Sequence, residues 1–107
     1  MCLLACQQKR VILWPTSEKT ADLEGYEEMN NKTFELVEKQ PGYLGSESFV
    51  NGDNRFVTIV SFKTHRDVLN WKDQELHKQA QKLGIEKWYK HYKVQVCKVE
   101  REYEFNR

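Results

Sequence analysis

Close to the end of the chain, "WYKHY" places three aromatic rings, Trp88, Tyr89 and Tyr92, within a few residues, and "NWKDQELH" upstream carries Trp71 and His77. Flat rings suit an aromatic ligand, because offset or edge-on contacts add about 0.5–1.5 kcal/mol beyond burial. A histidine that titrates near neutrality can take a phenolic proton. Each group also has a plainer role. Trp88 and Tyr92 could pack in a core or at an interface, and His77 could be a surface or hydrogen-bonding helix residue. His65 and His91 stand beside basic residues in "THRD" and "KHYK" and read as solvated. No His, Cys, Asp and Glu cluster has zinc or facial-triad spacing. No glycine-rich phosphate loop opens a helix. A metal or nucleotide cofactor is therefore not expected.

The elements that must position these groups fit one domain. The chain has 107 residues, 39% hydrophobic, 12% aromatic and 31% charged, with formal net charge +1. So small a charge makes no basic field to recruit nucleic acid or an anionic membrane. Both signs are interspersed in "EKTADLEGYEEMNNK" and "KDQELHKQAQK", as on solvated helix faces. Cys2, Cys6 and Cys97 form no disulfide framework, which suits a reducing cytoplasm. "MCLLAC" lacks the basic start and apolar stretch of a signal peptide. No run approaches the roughly 20 apolar residues of a membrane span. A soluble cytoplasmic protein is expected, with residues 1–9 an ill-ordered leader and 10–107 the domain.

"RVILWP", residues 10–15, predicts a short strand that Pro15 ends or confines to a sheet edge. In the next segment Leu23, Tyr26, Met29, Thr33, Leu36 and Val37 recur at helical spacing, and "QPGY" ends the helix. "YLGSESFVN" and "RFVTIVSF" flank "NGDN", a hairpin signal. Phe56, Val60 and Phe62 share one side of the second strand, and Val57 and Ile59 the other, so both faces need cover. Thr64 and Asp67 predict a helix cap. Leu69, Leu76, Ala80 and Leu83 then form an apolar stripe. Trp71 falls off this stripe unless Asp73 caps a restarted segment. Gly84 ends the run, and a short turn leads to the last strand. The order β-α-β-β-α-β describes an α+β, ferredoxin-like sandwich with both helices on one sheet face.

The last strand overruns that sheet. "YKVQVCKVEREYEF" has fourteen residues, roughly 46 Å if extended, against the roughly 17–20 Å of an ordinary strand. Its apolar parity also changes, from Tyr92, Val94 and Val96 to Cys97, Val99, Tyr103 and Phe105. A bulge near residues 96–99 is the simplest account. The uncovered face and the long strand both call for a second copy of the chain. A two-fold homodimer is expected, a dimeric α/β barrel, with Val99, Arg101, Tyr103 and Phe105 at its interface. Glu100, Arg101 and Glu102 then read as ion pairs between subunits. The alternative is a solvated tail over 100–107.

This order, together with "QPGYLGSES", "TIVSF" and the series Trp71, His77, Gly84, Trp88, Tyr89, Tyr92 and "VEREY" at 99–103, resembles the antibiotic biosynthesis monooxygenase (ABM) family over residues 10–105. The resemblance implies a dimeric α+β barrel with a pocket between the sheet and the second helix. Trp71 and His77 become catalytic candidates there, and Trp88, Tyr89, Tyr92 and Phe62 substrate-lining ones. It also implies oxygenation of an aromatic or polycyclic compound, without cofactor, by a substrate that itself activates oxygen. A non-catalytic dimer holding a small ligand or a protein partner is the alternative. Haem-degrading relatives use a first-strand Asn, a second-helix Trp and a His ten residues later. Here only Trp71 matches, since "RVILWP" has no Asn and Gln81 holds the last position. Haem is disfavoured, and a flavin from a separate reductase stays open.

Overall fold

A computed structural model describes residues 10–52 and 55–107; the expected leader at 1–9 lies outside them. The elements are β1 (Val11–Lys19), α1 (Tyr26–Glu38), β2 (Tyr43–Asn51), β3 (Arg55–Phe62), α2 (His65–Lys72), α3 (Glu75–Leu83), a turn of π-helix at Gly84–Trp88, and β4 (Tyr89–Lys98). The strands form one antiparallel sheet in the order β2-β3-β1-β4. This is the expected α+β, ferredoxin-like fold, with its second helix split in two.

Pro15 neither ends β1 nor confines it to an edge. The strand continues to Lys19 in the middle of the sheet. Proline has no N–H to donate to a ladder. The β1–β3 ladder is open at Trp14 and Pro15, while the β1–β4 ladder runs through both. One local gap thus accommodates the proline, and cross-strand pairing on either side of it outweighs the loss. Continuation carries Leu13, Pro15, Ser17 and Lys19 along one face, at the strand period of two.

The β2–β3 hairpin has the predicted bounds, and Gly52 supplies the turn with a left-handed residue at φ 76°. The core lies on the helix side of the sheet. Val11, Leu13, Val60 and Phe62 meet Val37, Val68 and Trp71 there, with Phe34, Leu36 and Tyr43 packed against them. Leu23 precedes α1 and is exposed, so the helix stripe effectively begins at Tyr26.

The Thr64 cap is present as a reciprocal box. The Thr64 hydroxyl accepts from the Asp67 N–H, and the Asp67 carboxylate accepts from the Thr64 N–H. The expected stripe beyond it is corrected. Asp73 caps the end of α2, and Gln74, not Asp73, is the N-cap of α3. With the phase changed at that break, Trp71 is buried at 3% exposure and Leu69 stands out at 41%. Gly84 does not stop the run either; its backbone stays helical and enters the π turn.

β4 ends at Lys98, and its register shift lies opposite Glu18 and Lys19 rather than near 96–99. Residues 99–107 follow without regular structure. The Val99 N–H donates to the Arg10 carbonyl at 3.0 Å. Tyr103 and Phe105 are 83% and 77% exposed. Glu102 pairs with Arg10, and Arg101 is exposed beside the Tyr103 ring. Among the described residues no helix is long and apolar enough to cross a membrane. Replacing Thr64 by Ala is expected to remove about 1 kcal/mol of stability, read as a lowered denaturant midpoint.

Candidate functional site

The helix-side face of the sheet continues past the core into a cavity of about 730 Å³. Its floor comes from Leu13, Pro15, Ser17 and Lys19 of β1 and from Tyr92, Val94 and Val96 of β4. These residues share a face because Leu13, Pro15 and Ser17 pair with Val96, Val94 and Tyr92. Trp71, His77, Trp88 and Tyr89 all contribute walls. Val50, Leu69, Val94 and Val96 also line it and remain exposed, so this side meets solvent.

The helix break brings Trp71 and His77 together. In a continuous helix residues six apart lie roughly 120° apart around the axis. Here the extended Gln74 (φ −66°, ψ 133°) turns the chain, and α3 carries His77 back onto Trp71. The rings stack with centroids 4.4 Å apart and 16° between planes. His77 Nδ1 lies 3.2 Å from the Trp71 carbonyl oxygen. That oxygen can only accept, so Nδ1 carries the proton and the neutral ring keeps its lone pair on Nε2. Burial lowers the His77 pKa below its ordinary value, partly opposed by this hydrogen bond, which favours the charged ring. At neutral pH the imidazole is a neutral base.

The second ring group sits at the π turn. The Trp88 indole N–H donates to the Glu24 carbonyl at 2.9 Å, and Tyr26 stands edge-on to its ring with centroids 5.4 Å apart. Tyr89 and Tyr92 stack at 5.2 Å. A side chain at Gly84 would run into the Tyr89 ring, which explains why a residue without Cβ stands there. Burial first, then the Tyr26 hydroxyl nearby, raises the Tyr89 pKa. Burial also raises that of Tyr92, opposed by a hydrogen bond from Gln81. Both phenols stay protonated in the ordinary pH range.

Five of the six candidates expected at the pocket, Trp71, His77, Trp88, Tyr89 and Tyr92, reach the cavity. Phe62 does not. It is fully buried in the core beneath, edge-on to Tyr43. Lys19 and Phe56 are among the lining residues that the sequence did not place at the pocket. The Lys19 ammonium lies 3.4 Å from the Phe56 ring centroid and 4.0 Å from that of Tyr26. Parity would have found Lys19, two, four and six residues after Ser17, Pro15 and Leu13, had the strand not been ended at Pro15. Among the described residues no group of three His, Cys, Asp or Glu could hold a metal ion.

Fold and cavity together define the class: this is the fold of antibiotic biosynthesis monooxygenases. SnoaB, a cofactor-independent oxygenase from Streptomyces nogalater, superposes with a TM-score of 0.73 over 88% of this chain and 96% of its own, at 12% identity. A structure described as antibiotic biosynthesis monooxygenase gives a TM-score of 0.67 over 81% and 95% of the two chains, at 13% identity. No family model matches the sequence. The uncharacterised protein YqjZ of Bacillus subtilis (strain 168) is 36% identical over 87 residues, which span 81% of this chain and 76% of YqjZ. The chain belongs to the family of YqjZ.

Because His77 is held neutral, the folded state takes up its proton at lower pH than the unfolded chain does. The stability this represents is present above the unfolded value near 6.5 and is lost as pH falls through the lowered folded value. Denaturant titrations at pH 7.5 and pH 5 are expected to show a smaller acid loss for His77→Gln than for the unchanged protein.

Proposed function

We propose that the protein is a cofactor-independent monooxygenase that oxidises an aromatic or polycyclic small molecule in this cavity. The observation that carries the reading is the Trp71–His77 pair, a neutral imidazole with its Nδ1 proton engaged and Nε2 available as base on an aromatic-walled cavity. In the mechanism, Nε2 takes the proton of a phenolic or enolic hydroxyl. The resulting ring anion is electron-rich enough to reduce oxygen. One oxygen atom ends as a new ring carbonyl and the other leaves as water, with both hydrogens of a ring methylene consumed. The Trp71 carbonyl and ring hold the imidazole in one tautomer and one plane. SnoaB, named as cofactor-independent, supports this choice. The haem-degrading alternative finds less support. β1, "VILWPTSEK", has no Asn along its full length, and Gln81 lines the cavity beside Tyr92 where a ligating His would be needed.

The working unit in this proposal is a homodimer in a reducing cytoplasm. Ile12, Trp14, Val57 and Ile59 alternate onto the face of the sheet that carries no helix and are only half-buried. Beyond β4, Val99, Arg101, Tyr103 and Phe105 lie on a segment whose two rings pack against little of their own chain. A second copy supplies matching apolar surface to both. Cys97 is a free thiol on β4, in keeping with a reducing setting.

Oxygen uptake and absorbance with a panel of anthrones, hydroquinones and haem test the activity. Consumption with an anthrone, which carries the ring methylene, is expected, and His77→Ala should slow it by about 10²–10⁴-fold. Saturable binding without uptake would select the non-catalytic ligand-binding reading. Sedimentation equilibrium is expected to give twice the chain mass of 12.8 kDa; a stable, folded species at the single-chain mass would end the dimer.

A further inference from the structure

Lys19 is the one charged side chain of the cavity floor that is nearly withdrawn from water, at 9% exposure. Its ammonium sits between the faces of Tyr26 and Phe56, which also line the cavity. Ring faces compensate a cation partly, by electrostatic attraction to the quadrupole. They accept none of its three N–H bonds in the way an oxygen does. Among the described residues no carboxylate lies within salt-bridge distance of it. Among the described residues the fully buried nitrogen without a partner is Arg10 Nε, not the Lys19 ammonium, which therefore stays open to an anion entering the cavity. Two rings that orient an ammonium on the wall of an apolar cavity leave the ligand as the source of that anion.

We infer that Lys19 receives a carboxylate of the ligand, so that the substrate class is an aromatic or polycyclic acid rather than a neutral hydrocarbon-like ring system. The inference deepens the proposed function and rests on its reading of the cavity. It also gives the ligand a direction. Leu13 belongs to the core cluster that contains Trp71, on which His77 stacks. Lys19 is six residues further along β1, about 20 Å by strand rise. The acid therefore anchors toward the Tyr26, Phe56 and Tyr89 end, and the ring to be oxidised lies toward His77.

The test uses anthracene-2-carboxylate and its neutral counterpart anthracene-2-carboxamide, with binding followed by anthracene fluorescence. The unchanged protein is expected to bind the carboxylate at least about tenfold more tightly, the scale of one charge-assisted hydrogen bond. Lys19→Met should equalise the two compounds by weakening the carboxylate alone, and Lys19→Arg should keep the preference. Equal binding of both compounds by the unchanged protein overturns the role of Lys19 and leaves the cavity reading intact. A preference that survives Lys19→Met overturns it too. Failure of both compounds to bind the unchanged protein removes the cavity reading itself. The comparison on the unchanged protein decides even where Lys19→Met does not fold, as checked by circular dichroism.

Discussion

Strand β1 is hydrogen-bonded along both edges, to β3 on one side and β4 on the other, and the rest of the molecule is built on it. Its helix-side face starts as core at Val11 and Leu13 and finishes as cavity floor at Pro15, Ser17 and Lys19. The change comes from what lies above the strand. At the Val11 end α1 and α2 contribute Val37, Val68 and Trp71 and fill the space. Toward Lys19 the wall is made of rings from the start of α1, the π turn and the start of β4, which pack edge-on or stacked against one another and border the cavity. A single residue slip of β1 would turn both core and floor to the opposite face. The gap at Pro15 is tolerated because it breaks only one of the two ladders.

Two irregularities then give the site its form. The break at Asp73–Gln74 lets α2 bury Trp71 while α3 returns His77 to it, an encounter that a straight helix forbids. The π turn at Gly84–Trp88 delivers Trp88 inward and starts β4 with Tyr89 against the Cβ-less Gly84. Both are departures from regular geometry next to the cavity, where π turns and helix breaks commonly re-aim side chains. The same crowding that lowers the pKa of His77 raises those of Tyr89 and Tyr92. A neutral base and neutral phenols share one largely apolar chamber, and Lys19 brings an ammonium to its floor.

Much of this was legible in residue order. Strand and helix periodicities, the "NGDN" turn and the Thr64–Asp67 pair are local signals, and β2, β3 and the cap follow them closely. The aromatic series from Trp71 to Tyr92 is likewise read from residue type, and the fold it suggested is the fold observed. The misreadings share one cause. Pro15, Leu69, Phe62 and the terminal strand were judged by local pattern, whereas their places depend on partners distant in sequence. β3 and β4 hold β1 straight past its proline, and the helix break moves the buried face from Leu69 to Trp71.

By itself the sequence determined the elements, their order and the chemical kinds of side chain available, because each depends on neighbours a few residues away. Tertiary structure alone decided which of those side chains meet: that Phe62 lies under the cavity and not in it, that His77 turns its Nδ1 to the Trp71 carbonyl, and that Lys19 ends between Tyr26 and Phe56. Such encounters depend on strand register and on where a helix breaks, and both are settled by packing across the whole domain.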